Sequence, residues 1–403
     1  MTATHPRVVL AYSGGLDTSF ALVYLRKSGA RVLAITVDTG GFEAAEREVI
    51  ADRARRLGAD EHRWVDARDI LYERYLRFLI YANAQKGGLY PFSVSAERTC
   101  QAAAVAELAV ALGADQIVDA ATGAGNDQVR FGVAFAVLAP SLEHRSLIRE
   151  LGISRDEEAA FLAREGFEEW GRQSRYSVNQ GLWGTTIGGG ETHDPWQTVP
   201  DAVFPGGIVD PARPARSLTI EFRKGDPVPP AACSGPVALI GQLNALGSGY
   251  GIGRGIHLGE TILGIKGRVV FEAPAAAILI AAHRELEKLV LGGSQSTWKE
   301  TLGALYGSLV HEGRYFDPLA RDLEAFLASS QERVTGQVRC RLEPGRFVIE
   351  GVRSPHGLVD AGVACYGESP VLWSGSDAAG FTRIYGVAQR LWARAGGANV
   401  EDA

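Results

Sequence analysis

Cysteine is scarce: four residues in 403, Cys100, Cys233, Cys340 and Cys365, with no C-x-x-C pair and no Cys/His spacing suited to zinc. A disulfide framework is excluded, and the four read as reduced, mostly packing residues. The eight histidines are scattered as well; His193 beside Asp194 reads as a loop hydrogen bond rather than a metal ligand. Basic charge is also short. Forty-one Lys plus Arg against 47 Asp plus Glu leave a net charge of -6, so no global positive field exists to hold a nucleic-acid backbone. Any polyanion bound here must be small and held locally. No apolar run approaches the ~18 residues of a membrane helix, and the N-terminal residues carry no charged-then-apolar signal region. The expectation is a cytoplasmic protein with no membrane or nucleic-acid partner.

What is present is a chain long enough for two or three domains at ~150 residues each. With 46% hydrophobic and 22% charged residues it can bury a large core, which excludes disorder. Glycine is in excess, 49 residues without any G-X-Y period, against the ~7% of average usage. That excess needs a local explanation.

Hydrophobic patterning predicts a strand over Arg7–Tyr12, a tight Ser-Gly-Gly loop, and a helix over Asp17–Lys27 stopped by Gly29. Strands at Val32–Val37 and Glu61–Asp66 flank a charged helix at Glu43–Leu57. An Ala-rich helix at Cys100–Leu112 leads to a strand at Gln116–Asp119 and a polar loop, Thr122–Asp127. Such alternation specifies a doubly wound parallel sheet, in which ligands sit outside the carboxyl ends of strands, so both loops are expected to border one site. The sequence turns charged near 145–175 and then rich in Gly, Pro and Trp from Tyr176 to Pro214, which marks a domain boundary. Later strands (SLTIEF, ILGIKGRVVFE, GQVRCRL, RFVIEG) and helices near Val237–Leu246, Ala275–Leu291 and Trp298–His311 predict an α+β second domain. The expected domains are 1–170, 171–374 and a helical arm at 375–403, where Phe381, Ile384, Val387 and Leu391 form one stripe over Asp377–Ala395.

Ser13-Gly14-Gly15-Leu16-Asp17-Thr18-Ser19 lies between a strand and a helix, where backbone N–H groups and the helix dipole favour an anion. The glycines allow close approach to phosphate, and Ser13, Thr18 and Ser19 supply hydroxyls. Asp17, an acid among anion-binding groups, suits Mg²⁺. The residues alone leave open an ordinary Gly-rich turn with Asp17 as a helix cap. The loop has neither the G-K-[ST] of a Walker motif nor the G-x-G-x-x-G of a dinucleotide fold, and Gly247–Gly255 also fails the latter spacing and reads as a turn.

S-G-G-x-D-[ST]-S after a first strand resembles the pyrophosphate loop of N-type ATP pyrophosphatases, and Ala11–Ser19 resembles the form found in argininosuccinate synthases. TGAGNDQVRF at Thr122–Phe131, Tyr176-Ser177 with Leu182-Trp183-Gly184 and Asp194-Pro195-Trp196, and QERVTG at Gln331–Gly336 resemble further blocks of that family, in order along the chain. The resemblance implies an adenine nucleotide α-hydrolase-like N-terminal domain, a synthetase domain and a C-terminal arm used in a homotetramer. It implies ligase chemistry in which a ureido oxygen of citrulline attacks the ATP α-phosphate and the aspartate amine then displaces AMP. By motif match Ala11, Tyr12, Ser13, Gly14, Gly15, Leu16, Asp17, Thr18, Ser19, Val37 and Ala120 would hold ATP, with Mg²⁺ through Asp17. Thr122, Asn126 and Asp127 would hold aspartate. Tyr90, Ser95, Asn126, Arg130, Ser177, Thr186, Glu260 and Phe271 would line the acceptor subsite, with Ser13, Asp17 and Arg130 in catalytic roles.

The same resemblance marks departures. A citrulline-binding glutamate falls on Gly259, with Glu260 one place later, and a tyrosine falls on Phe271. Ser93-Val94, Ala120, Ala124 and Gly188 also depart from family residues. Three functions follow as alternatives: the family's own reaction, the same chemistry on another ureido, amide or carbonyl acceptor, or a sulfur-transferring or non-catalytic nucleotide-binding relative.

Overall fold

The computed structural model describes residues 5–168, 175–360, 362–364 and 366–395. In chain order the strands are β1 (Arg7–Ala11), β2 (Arg31–Asp38), β3 (Glu61–Asp66), β4 (Gln116–Asp119), β5 (Glu143–Ser146), β6 (Tyr176–Gly181), β7 (Gly184–Gly189), β8 (Arg216–Arg223), β9 (Asp226–Val228), β10 (Arg254–Glu260), β11 (Lys266–Glu272), β12 (Gly336–Glu343) and β13 (Arg346–Arg353). The first five pair in parallel in the order β3-β2-β1-β4-β5. Alternate residues of β1 feed different cores, as a sheet buried on both faces requires. Val8 and Leu10 pack with Phe20, Leu22 and Ile50, whereas Val9 packs with Ile35, Val105 and Ile117. The chain builds outward from β1 to β3 and then crosses to β4 and β5. That reversal opens a crevice at the carboxyl ends of β1 and β4, where both expected ligand loops emerge.

The expected strands at Arg7–Tyr12, Val32–Val37, Glu61–Asp66 and Gln116–Asp119 form with ends shifted by at most a residue. A helical run after β3 was not foreseen. It comprises Arg68–Leu71, a π-helical turn at Tyr72–Leu76 and Arg77–Tyr81, and it buries Leu71, Tyr72, Tyr75, Leu76, Leu79 and Ile80. The remaining strands form two antiparallel sheets, β10-β11-β7-β6 and β13-β12-β8-β9. Gly247–Gly255 resolves into the end of helix Pro236–Ser248, a turn, and the start of β10. Gly253 has φ +76°, and a Cβ there would stand 2.5 Å from the Ala273 carbonyl carbon, so only glycine fits.

One hydrophobic cluster runs from Val9 and Ile35 in the parallel sheet to Phe222, Ile278, Leu279 and Val338, crossing the expected boundary at 170/171. Residues Met1–His356 accordingly form one compact unit, and Gly357–Ala403 a second. Within the second unit, the helix expected over Asp377–Ala395 is two helices, Gly375–Tyr385 and Val387–Ala395, separated by Gly386. Its stripe residues Phe381, Ile384, Val387 and Leu391 are exposed. Cys100 and Cys340 are buried and Cys233 half-buried, all free, while Cys365 lies outside the described residues. Among the described residues no helix is long and apolar enough to cross a membrane.

A buried polar network fastens helices on either side of the core. Lys299 Nζ lies 2.9 Å from Glu287 Oε2, which also accepts from Asn83 Nδ2 at 2.6 Å. Glu287 Oε1 accepts from Gln331 Nε2 at 2.8 Å, and His283 hydrogen-bonds both Asn83 and Gln331. Gln331 opens the QERVTG block, so that motif contributes to packing as well as to resemblance. A buried ion pair adds little net stability, but removing one partner strands the other charge. Glu287→Ala is expected to cost about 3–5 kcal/mol in denaturant unfolding. A Glu287→Leu/Lys299→Met double variant should lose much less.

Candidate active site

The loop after β1 is shaped by its backbone. Gly14 has φ +78°, a conformation that glycine tolerates, and its carbonyl accepts from the Arg53 guanidinium. Ser13 Oγ lies 3.2 Å from Thr18 Oγ1, which donates to the Gly15 carbonyl at 3.2 Å. Ser13 and Gly15 are exposed to the crevice, while Gly14, Tyr12 and Ser19 are buried beneath it. Ala11 ends β1 and Leu16 begins helix Leu16–Lys27, so the whole expected ATP loop sits at one strand end and one helix N-terminus. Val37 lies beside it near the end of β2, buried, its carbonyl accepting from Gln101 Nε2 at 3.4 Å.

Asp17 occupies the first turn of that helix. Its Oδ1 is buried without a hydrogen bond, and Arg155 Nε stands 3.5 Å away. Glu158 approaches from helix Arg155–Arg164; burial and the nearby Asp17 carboxylate push its carboxyl up to about 8. Glu158 is therefore largely protonated at neutral pH. This partnership was not anticipated from the sequence, although the Ser154/Glu157 capping box is a legible helix start.

The loop after β4 is held from below and from the side. Asp119 Oδ1 accepts from the Ala121 amide at 2.8 Å and from Ser146 Oγ at 2.6 Å, placing buried Ala120 next to the β1 loop. Thr122 is exposed, and its carbonyl accepts from Gly125 N at 3.4 Å. Asn126 Oδ1 accepts from the Ile262 amide at 2.8 Å, tying the loop to the β10–β11 turn. Asp127 is clamped between Arg98 Nε at 3.1 Å and Arg130 Nη1 at 2.9 Å. Desolvation alone would raise its carboxyl, but the two guanidiniums reverse that and hold it below the ordinary range.

Arg130 is 5% exposed and its donors are consumed internally. They reach the His311 carbonyl at 2.8 and 3.0 Å, Ser95 Oγ at 3.2 Å and Asp127. Ser95 Oγ in turn lies 2.8 Å from His311 Nδ1; burial and then Arg130 push that imidazole down to about 2, so His311 is uncharged at neutral pH. Tyr90 packs against Phe271 with ring centroids 5.1 Å apart, and Phe271 pairs with Thr186 across β11 and β7. Tyr90, Ser95, Arg130, Thr186 and Phe271 are thus brought together. Ser177 is exposed on β6 opposite Gly188, where an added Cβ would meet open space. Glu260 is exposed and alternates with Gly259 across the pleat, its carboxylate 2.5 Å from Lys266 Nζ. The hairpin turn Leu182-Trp183 plugs the crevice edge: Leu182 N donates to the Thr39 carbonyl at 2.9 Å and Trp183 N to Glu97 Oε1 at 3.0 Å.

The arrangement offers hydroxyls and backbone amides for phosphate, an acid pair beside them, and a mixed polar and aromatic wall about the β4 loop. Positioning and charge stabilisation, rather than a nucleophilic side chain, are what it can supply. Glu158 yields a direct test. A carboxyl raised in the fold binds its proton where the unfolded chain has lost it, so stability falls as pH rises from the ordinary range near 4.5 towards 8. Glu158→Gln is expected to gain in Tm over the parent across that interval and level off above it. A pH-independent difference in thermal melts would contradict the raised Glu158 carboxyl.

Comparison with known proteins agrees with this geometry. Residues 7–168 match the model for the argininosuccinate synthase N-terminal HUP domain, and residues 176–392 match that for the C-terminal domain. An argininosuccinate synthase of Xanthomonas campestris is 38% identical over 396 residues, covering 96% of this chain and 98% of the relative. One of Dictyoglomus turgidum is 37% identical over 396 residues, covering 98% and 99%. The chain belongs to the argininosuccinate synthase family.

Proposed function

We propose that this protein is an ATP-dependent carbon–nitrogen ligase that joins aspartate to a ureido acceptor, citrulline or a citrulline-like compound, with release of AMP and pyrophosphate. The observation that carries the reading is the convergence of the Ser13–Ser19 loop and the Thr122–Asp127 loop on one crevice at the carboxyl ends of β1 and β4. Ser13, Gly14, Gly15, Thr18 and Ser19 line the phosphates, with Tyr12, Val37 and Ala120 towards the nucleoside. Thr122, Asn126 and Asp127 bind aspartate, and Tyr90, Ser95, Ser177, Thr186 and Phe271 line the acceptor subsite. Arg130 acts by holding Asp127 and Ser95 in place, since its donors are already engaged by protein acceptors.

The ureido oxygen attacks the α-phosphorus, the bond to the β-phosphate oxygen breaks, and pyrophosphate leaves. The aspartate amine then attacks the ureido carbon, the carbon–oxygen bond breaks, and AMP departs with that oxygen while the amine loses its protons. The loop amides and hydroxyls bear on the charge that develops on the phosphates. The unsatisfied, buried Asp17 Oδ1 suits a divalent cation, so Asp17 would hold Mg²⁺ on the ATP phosphates, where the ion supplies charge neutralisation. The arm residues 375–403 serve assembly into a homotetramer, a reading supported by the exposed apolar side chains Phe381, Ile384 and Leu391.

Incubation with ATP, Mg²⁺, aspartate and ureido acids should release AMP and pyrophosphate in equal amounts, each dependent on both aspartate and acceptor. Asp17→Asn is expected to lower kcat by about 100-fold, the order seen when a group stabilising transition-state charge is removed. Pyrophosphate release independent of aspartate would count against the reading.

A further inference from the structure

β10 presents two unlike faces to its surroundings. Ile256, Leu258 and Glu260 are exposed, while Gly255, His257 and Gly259 turn towards Tyr90 and Phe271. The His257 imidazole stacks on Tyr90 with ring centroids 5.9 Å apart and an interplanar angle of 18°. Its ring also lies over Gly259: a Cβ built there would stand 2.6 Å from His257 Nε2 and 3.1 Å from Cδ2. Any side chain at 259 would have to displace the imidazole. The ring therefore fills the space into which an acid at 259 would project. His257 Nε2 is buried and has no hydrogen-bond partner among the described residues.

The charge around this wall is one-sided. Lys86 Nζ reaches the Glu260 carbonyl at 3.3 Å, and its cation, after desolvation, helps hold His257 below its ordinary range, so the imidazole is neutral near pH 7. His311 is neutral as well, and Arg130 is a buried cation. The acids of the adjoining elements are paired or partly neutralised, Glu97 Oε2 alone being buried without a hydrogen bond among the described residues. Asp127 is clamped by Arg98 and Arg130, Glu260 by Lys266, and Glu97 is bound to the Trp183 amide with its carboxyl pushed up to about 7 by burial. An ammonium brought here would meet cations and find no carboxylate without a cation except buried Glu97, which is half protonated near pH 7, at the cost of its hydration. A carboxylate or an uncharged group would meet complementary potential and an unused imidazole nitrogen.

We propose that His257, seated over Gly259, is a specificity-determining residue that selects a ureido carboxylic acid lacking a free α-ammonium as the acceptor. The proposal rests on the ureido-ligase reading above and narrows its substrate. Discrimination arises mainly by exclusion: the missing acid leaves an α-ammonium desolvated and unpaired, whereas an acceptor without one suffers no such loss.

The decisive comparison uses 5-ureidopentanoate and L-citrulline, which share the ureido chain and carboxylate and differ only in the α-amino group. With the full chain, ATP, Mg²⁺ and aspartate, kcat/KM for pyrophosphate release should be at least tenfold higher for 5-ureidopentanoate. Any smaller ratio, or a preference for citrulline, overturns the inference and leaves the ligase reading standing. Absence of aspartate-dependent pyrophosphate with both compounds overturns the ligase reading and the inference together. The second arm is the His257→Ala/Gly259→Glu double variant, checked for native folding by its circular dichroism and its KM for ATP. It should shift the ratio at least tenfold towards citrulline; a folded variant with an unchanged ratio removes His257 from the selection.

Discussion

The carboxylate of Asp127, caught between Arg98 and Arg130, is the interaction on which the rest of the crevice depends. Arg98 belongs to helix Ser95–Ala111 and also donates to Asn179 on the β6–β7 hairpin at 2.9 Å. Arg130 belongs to helix Asp127–Leu138 and donates to the end of helix Gly293–His311. One acid therefore fixes four elements that come from widely separated parts of the chain. Two guanidiniums sharing one carboxylate form a charge-assisted network in which each geometry constrains the next. The loop after β4 is fixed beside the loop after β1 as a consequence.

Much of the nucleotide half was legible because its signals are local. A β-branched run, a Ser-Gly-Gly loop and an amphipathic helix occur within twenty residues or so, and each obeys rules that act at that range. The β6–β7 hairpin and β10 were not legible as strands, being rich in Gly, Thr and Asn, residues of modest strand preference whose pairing is decided by partners across the sheet. The π-helical turn at Tyr72–Leu76 likewise carries no distinctive local pattern. Glu158 lies more than a hundred residues from Asp17, and His311 and Ser95 are further apart still; no spacing rule links such pairs. The boundary at 170/171 is placed by composition, yet the hydrophobic core passes beneath it, because a segment rich in Gly and Pro does not prevent the parts on either side from packing together.

Two glycines in the wall of the crevice are each matched to a larger neighbouring side chain. Gly259 and His257 occupy the same volume from neighbouring positions of one face, so a side chain at one excludes the ring of the other. Gly181 and Glu97 are paired in the same way: a Cβ at 181 would stand 2.6 Å from Glu97 Oε1, and the space it leaves admits a buried acid that binds the Trp183 amide. Dense packing lets a side chain grow at one position of such a pair only if its partner gives way. The glycine excess is thus explained in part by the ligand loops and in part by large side chains that reach across glycines in the wall of the crevice.

The account makes the ureido oxygen the nucleophile and AMP its carrier. The most direct test is to supply a ureido acid labelled with ¹⁸O in the ureido group and to analyse the AMP by mass spectrometry. One ¹⁸O in the AMP phosphate for each turnover is the predicted result. AMP without label, the ¹⁸O remaining in the condensed product, would contradict it.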